Sequence, residues 1–432
     1  MAGGSPIDSL VKGPGVVSPR PASGPVGRAG RDSAGLAAAA ARAARAAAGT
    51  LSARGQTRVD GPADPARGES PPGEDMSDPH GPPEPIDPLL EWYDRTAMAV
   101  AARAAGLPPD AGTNPPEASR IWAIAWLAAL RALRDARRGR VATAAVIAAV
   151  HGVLVTLVPA TARDLDAARD ISLARLKRRR AIARGVAAGK LAAADALAER
   201  SDDGPHPAHW RPYLIASAAH VAPEPPPGPE HPGYARDLAE VRALGGAQST
   251  VRDTRQTEIA EFWAQPSLSA YTPAARAALA GLQAPIAERV ELVALLHVVT
   301  LDAQIAGYAS GEQHPRWRPG RALGGPSRAA WTSLVAPDLG EPEYPCLHTT
   351  FAGAAEIVLT ALAGHPRAPL PLMSPTAPGV VRQYTDWRQL TAEIVDAGVW
   401  GGVHLRTSAE AGASLGRRVA FRCLTRWSRQ AA

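Results

Sequence analysis

Apolar residues in this chain repeat at helical spacing and almost never alternate. Trp122, Trp126, Leu127, Leu130 and Leu133 form one such stripe, with Arg137 and Arg138 closing it. A stripe recurring every three to four residues buries itself only as one face of a helix. Val141 to Val158 is more apolar still and just reaches the length of a membrane span, about 18 residues. Its His151, Gly152, two threonines and many alanines make it a buried bundle helix instead. Helical patterns continue through Asp164–Arg200, Leu238–Leu244, Gln256–Ala264 and Ala274–Gly307, the last interrupted near Pro285. No alternating strand pattern of useful length occurs. Neither does a Gly-rich fingerprint after a strand, a G-x-S-x-G elbow or a zinc spacing of Cys and His. The expectation is an all-α chain of packed helical bundles.

Residues 1–83 differ in kind. Apart from the Ala/Arg run Leu36–Ala48 they hold little apolar material, and their Pro, Gly, Ser and Asp content cannot offset the entropy of ordering. They read as a disordered segment or a presequence. A secretory signal is not read here, because no compact apolar core precedes a cleavage site. Met76, close to where the helical patterns begin, is a candidate alternative start of translation, with disorder of the preceding residues the favoured expectation. Residues 84–432 are expected to form the helical domain, with Pro-rich 222–233 as a surface linker and Lys177–Arg180 as a solvated face. The net charge is +6, and no basic patch interleaves with aromatics, so nucleic acid is not an expected partner. Cys346 and Cys423 allow one disulfide but no framework of them. A cytoplasmic location is favoured, with export left open and no membrane span expected.

The chemistry concentrates in three stretches. Glu343–Glu356 reads E-Y-P-C-L-H-T-T-F-A-G-A-A-E. Pro345 suits the entry to a helix, Thr349 and Thr350 are candidate N-caps, and His348 would project from the helix N-terminus, where free N–H groups attract anions. Asp396–Ala411 places His404 after a Gly-Gly step, with Arg406 two residues on. Arg316–Arg321 reads R-W-R-P-G-R.

Taken in this order, the three stretches resemble the vanadium-dependent haloperoxidases, whose anion pocket is shared by type-2 phosphatidate phosphatases and class A acid phosphatases. Members of that superfamily read W-R-P, then Y-P-S-G-H, then an Arg six residues ahead of the last His. Gln256–Trp263, Trp92 and the Ala-rich helix from Ala118 also resemble family features, so the likeness spans about residues 85–420. It implies that His404 ligates vanadate, or attacks phosphorus in the phosphatases. It further implies that His348 works as acid–base and that Arg318, with the groups at Cys346 and Leu347, binds oxyanion oxygens. Peroxide and halide would be co-substrates beside a small organic substrate, and a homodimer is the inherited expectation.

Four positions depart from the family pattern. Its Lys falls on Gly311, its second Arg on Gly398, and its Ser and Gly on Cys346 and Leu347. Two unit charges about 4 Å apart interact by roughly 4 kcal/mol at an effective dielectric near 20, so losing two cations lowers oxyanion affinity by powers of ten. Vanadate is therefore a doubtful cofactor on this reading. Arg316, Arg321 and Arg406 are candidate substitutes. Cys346 near a helix N-terminus is a candidate thiolate. Glu258 and Glu261 are candidate orienting carboxylates, Asp396 a candidate partner for an Arg, and Trp317 and Trp400 candidate pocket walls. Three functions stay open. They are a haloperoxidase-like or phosphatase-like enzyme, a non-redox enzyme using His348 and His404 as acid and base, and a catalytically silent scaffold.

Overall fold

The computed structural model describes residues 86–106, 115–134, 136, 139–177, 179–324, 331–336 and 341–431; the expectations placed on residues 1–83 lie outside this set. The described residues are dominantly helical, as the apolar periodicity predicts. In order they form α1 (Pro88–Ala105), α2 (Pro115–Ala132), α3 (Gly139–Leu157), α4 (Ala162–Ala174), α5 (Arg179–Ala198), α6 (Pro232–Leu244), α7 (Thr254–Phe262) and α8 (Ser267–Gly281). Then follow α9 (Ile286–Gln313), α10 (Pro319–Gly324), α11 (Leu347–Leu362), a β-hairpin, α12 (Trp387–Trp400) and α13 (Arg406–Ala431).

Helix α9 is the axis. It packs against α2, α8, α11 and α13, and almost every residue from Val290 to Gly311 is buried. Among the described residues two helices, α3 and α9, are long and apolar enough to cross a membrane by length and composition, where the sequence suggested α3 alone. Within the fold, 94 % of the apolar stretch of α9 is enclosed by other helices, against 61 % for α3. The buried carboxylate of Asp302 on α9 accepts the N–H groups of Tyr213, Leu214 and Ile215 at 2.7, 2.7 and 3.0 Å, and so pins the loop that follows α5.

Where two helices lie closest, the sequence supplies small residues. A Cβ on Gly412 would stand 2.2 Å from the Cys346 carbonyl, and one on Gly416 2.1 Å from that of Thr350. Position numbers rise together along α11 and α13 in these contacts, so the two helices run parallel with their N-termini side by side. The Cys346 N–H donates to the Ser408 carbonyl at 3.0 Å, which ties the two starts together. His348 and His404, 56 positions apart, are thereby delivered to one end of the bundle.

The strand expectation needs correction. Leu370–Ser374 (β1) pairs antiparallel with Ala377–Tyr384 (β2). Pro371 and Pro378 hide this hairpin in the sequence. A two-stranded ribbon hydrogen-bonds on one edge only, so it tolerates prolines that a central strand would not. The start of α11 also differs from expectation. Its N-cap is Cys346, and the hydroxyls of Thr349 and Thr350 turn back to the Cys346 carbonyl at 3.1 and 2.7 Å.

Candidate active site

His404 sits in the turn between α12 and α13. Gly402 makes that turn: it adopts φ +76°, a conformation that favours glycine, and lies so close to Gly245 that a Cβ would meet its carbonyl at 2.3 Å. The N–H groups of Val403 and His404 both donate to the Gly398 carbonyl, at 2.9 and 3.0 Å. The imidazole is buried and its tautomer is fixed by its neighbours. Nδ1 lies 2.9 Å from the Glu343 carbonyl, which can only accept, so Nδ1 carries the proton. Nε2 lies 3.3 Å from Nη1 of Arg318, which can only donate, so Nε2 presents its lone pair. Arg318 is held in turn by the carbonyls of Val403 at 3.3 Å and Glu341 at 2.9 Å.

His348, the second residue of α11, completes the group. Its Nε2 is enclosed without a hydrogen-bond partner among the described residues, and desolvation pushes its pKa down to about 4. His404 is held well below the ordinary imidazole value by desolvation first, then by the charge of Arg318 and by His348. Both rings are neutral at pH 7. Arg318, His348 and His404 therefore share one site.

Two carboxylates escaped the sequence reading. Glu343, fully enclosed, accepts the Leu405 N–H at 3.0 Å and the Ser408 hydroxyl at 2.8 Å, and burial pushes its pKa up. Asp237 of α6 accepts the Thr407 N–H at 3.0 Å. The positive end of α13 is thus already occupied by protein carboxylates. An acidic residue in the otherwise apolar run from Pro342 to Leu347 was the available signal for Glu343.

Comparison with known proteins identifies the architecture. Residues 291–431 match the family model of the VCPO second helical-bundle domain. A bacterial vanadium-dependent iodoperoxidase superposes with a TM-score of 0.66 at 19 % identity, over 79 % of this chain and 97 % of that one. A holo-type bacterial vanadium-dependent chloroperoxidase gives 0.60 at 16 % identity, over 76 % and 95 %. The corresponding apo-type chloroperoxidase gives 0.58 at 15 % identity, over 76 % and 97 %. No curated protein matches the sequence significantly. The fold is that of the vanadium haloperoxidase superfamily.

Measured against the haloperoxidase pattern, the substitute cations do not reach the site. Arg406 is clamped by Glu240 and Asp396, each with a 2.6 Å contact, so Asp396 does hold an Arg but ties it between α6, α12 and α13. Arg316 donates to the Pro227 carbonyl and lies over the Tyr234 ring at 4.9 Å. Arg321 lies over Trp317, which stands 60 % exposed and walls nothing. Trp400 packs with Val241, Val399 and Leu405. Glu261 is exposed beside Arg252, and Glu258 makes no polar contact with the site among the described residues.

The expected anion contact at Cys346 also needs correction. The Cys346 N–H is taken by Ser408, and burial pushes its thiol up to about 11, so no thiolate forms. Leu347 directs its side chain onto Gly307 of α9. Cys346 and Cys423 are both free and buried.

The haloperoxidase Lys position, Gly311, is filled from outside. A Cβ there would meet Pro342 at 2.5 Å. Gly398 is open, and a Cβ would approach His404 at an ordinary 3.7 Å, but it carries no charge. The donor set does not fit vanadate. One guanidinium, two neutral imidazoles and a helix start already bound to Glu343 and Asp237 fall short of a multiply charged oxyanion.

Arg406→Ala leaves Glu240 and Asp396 facing each other across three helices. Stability is expected to fall by about 1–3 kcal/mol, the cost of unpairing such groups. Urea denaturation checks it, with the histidine titrations of the site unchanged.

Proposed function

We propose that this chain is a non-redox enzyme of the haloperoxidase fold, acting by acid–base chemistry on a small carbonyl-bearing substrate without vanadate. The observation that carries this reading is the pair of opposed hydrogen bonds on His404, from Nδ1 to the Glu343 carbonyl and from Arg318 to Nε2. When a substrate oxygen takes over the Arg318 N–H, the Nε2 lone pair of the neutral imidazole is released to remove a proton, while the guanidinium balances the charge developing on that oxygen. Both rings are neutral above about pH 6.5, the unperturbed imidazole value, so the base is in its working form at pH 7. His348, with an unpartnered Nε2, is the second proton-handling group, and Arg318 orients the oxygen.

A second reading rests on the likeness to iodo- and chloroperoxidases. In it the chain retains vanadate at His404 and oxidises halide with peroxide. The two differ in outcome. Monochlorodimedone bromination with vanadate and peroxide, run beside p-nitrophenyl phosphate hydrolysis, is expected to stay at background. Peroxide-independent turnover of carbonyl compounds is expected to drop by on the order of 10²–10⁴ in His404→Ala, the usual weight of a general base. Bromination that depends on vanadate and is lost in His404→Ala would establish the second reading. Unchanged behaviour in both His348→Ala and His404→Ala would leave a binding scaffold.

A further inference from the structure

The sequence shows no zinc spacing of Cys and His, yet folding assembles a mixed ligand set away from the candidate active site. Residues His206 to His209 read H-P-A-H, and Pro207–His209 forms a 3-10 turn. At three residues per turn, positions i and i+3 eclipse, so the two imidazoles share one edge. Their ring centroids are 5.5 Å apart. The last turn of α9 brings Glu312 to the same edge. Its Oε1 lies 3.2 Å from His206 Nδ1 and 3.7 Å from His209 Nε2, and the three ligand atoms all fall within 4.8 Å of one another. Tyr308, one turn earlier on α9, meets the His206 ring edge-on at 5.9 Å and sets its plane.

We propose that His206, His209 and Glu312 bind a divalent transition-metal ion, with Zn²⁺ the best match. The spacing is the first reason. Ligand bonds of about 2.0–2.2 Å in tetrahedral array separate donor atoms by a little over 3 Å, and the observed 3.2 and 3.7 Å bracket that separation. The second reason is that the lone pair of His206 Nδ1 is engaged only by a long 3.4 Å contact from the Ala208 N–H, so an ion shared with the Glu312 carboxylate 3.2 Å away displaces little. Two imidazoles and one carboxylate suit Zn²⁺ far better than Mg²⁺ or Ca²⁺, which take oxygen cages. All three side chains are about half exposed or more, so an ion enters from solvent and keeps water in the remaining position.

The ion would fasten the 206–209 turn to the end of α9. Glu312 adjoins Gly311 and lies six residues before Arg318, so the clamp steadies the segment that leads into the candidate active site.

The test is a titration of the full chain with Zn²⁺ alone, followed by calorimetry and by thermal unfolding. Saturable stoichiometric binding and a rise in Tm are expected. His209→Ala and Glu312→Gln are expected to weaken binding by at least about 100-fold, the upper range for losing even an outer-shell partner. His404→Ala is expected to retain it. These ligands are exposed, so circular dichroism of the variants should match that of the parent. Absence of binding to the parent chain would reduce the cluster to a His206–Glu312 ion pair and overturn the proposal. Binding that survives both substitutions would place the ion elsewhere and overturn it equally.

Discussion

Gly398→Arg is expected to raise the affinity of the site for inorganic phosphate by on the order of 10²- to 10³-fold, read by equilibrium dialysis. The direction follows from geometry. Position 398 lies in the last turn of α12, its Cβ vector points at His404, and the first atoms met are at 3.7 and 4.0 Å. A guanidinium added there would stand with Arg318 beside an entering anion, and one extra charge about 4 Å away is worth roughly 4 kcal/mol at an effective dielectric near 20. Ordering a long side chain takes back part of that gain. The substitution also replaces a helical glycine, which favours the fold by up to about 1 kcal/mol. Gly311→Lys should behave in the opposite way. Its Cβ would collide with Pro342, so the chain must shift, and a loss of about 1–3 kcal/mol is expected from overpacking. Equal anion gains from the two substitutions would contradict this account of the site.

The second large effect concerns the bundle core. His297 of α9 is buried against Trp122 of α2, with ring centroids 4.4 Å apart and planes 22° from parallel. Neither of its nitrogens has a hydrogen-bond partner among the described residues, and desolvation pushes its pKa down to about 3. A group depressed in the folded state supports stability above its unfolded pKa and loses it as pH falls toward the folded value. For His297 that window runs from about 6.5, the unperturbed value, down to about 3. Between pH 7 and 5 the loss is about 2 kcal/mol. His348, depressed to about 4, adds a similar loss. Asp302 works against both: burial raises it to about 6, so it gains stability as pH falls through that value.

The clean measurement is therefore a difference between proteins. His297→Phe keeps the stacking on Trp122 and removes two orphaned nitrogens, so it is expected to stabilise the chain by about 1–3 kcal/mol at pH 7. The gap over the parent should widen by about 2 kcal/mol at pH 5. Urea denaturation at the two pH values reads both numbers, and a gap that stays constant would mean His297 is not desolvated.

Helix periodicity made most of the fold legible, because each stripe such as Trp122–Leu133 has only one way to be buried. The convergence of Arg318, His348 and His404 was legible through the order of their motifs. What stayed hidden were the contacts that depend on direction. Arg406 follows His404 closely, yet the turn of α13 sends it to Glu240 and Asp396. Glu343 reaches the start of α13 across 62 positions, a distance no local pattern encodes. The hairpin was masked by its own prolines. The His206–His209–Glu312 cluster needs two segments that only packing brings together.

The central claim is that His404 sits in a buried cluster of two neutral imidazoles and one guanidinium that does not retain vanadate. Vanadium content of the full chain after equilibrium dialysis against micromolar vanadate tests it most directly. The account predicts no stoichiometric uptake in the parent protein and measurable uptake in Gly398→Arg. Stoichiometric vanadium in the parent chain, lost in His404→Ala, would contradict it.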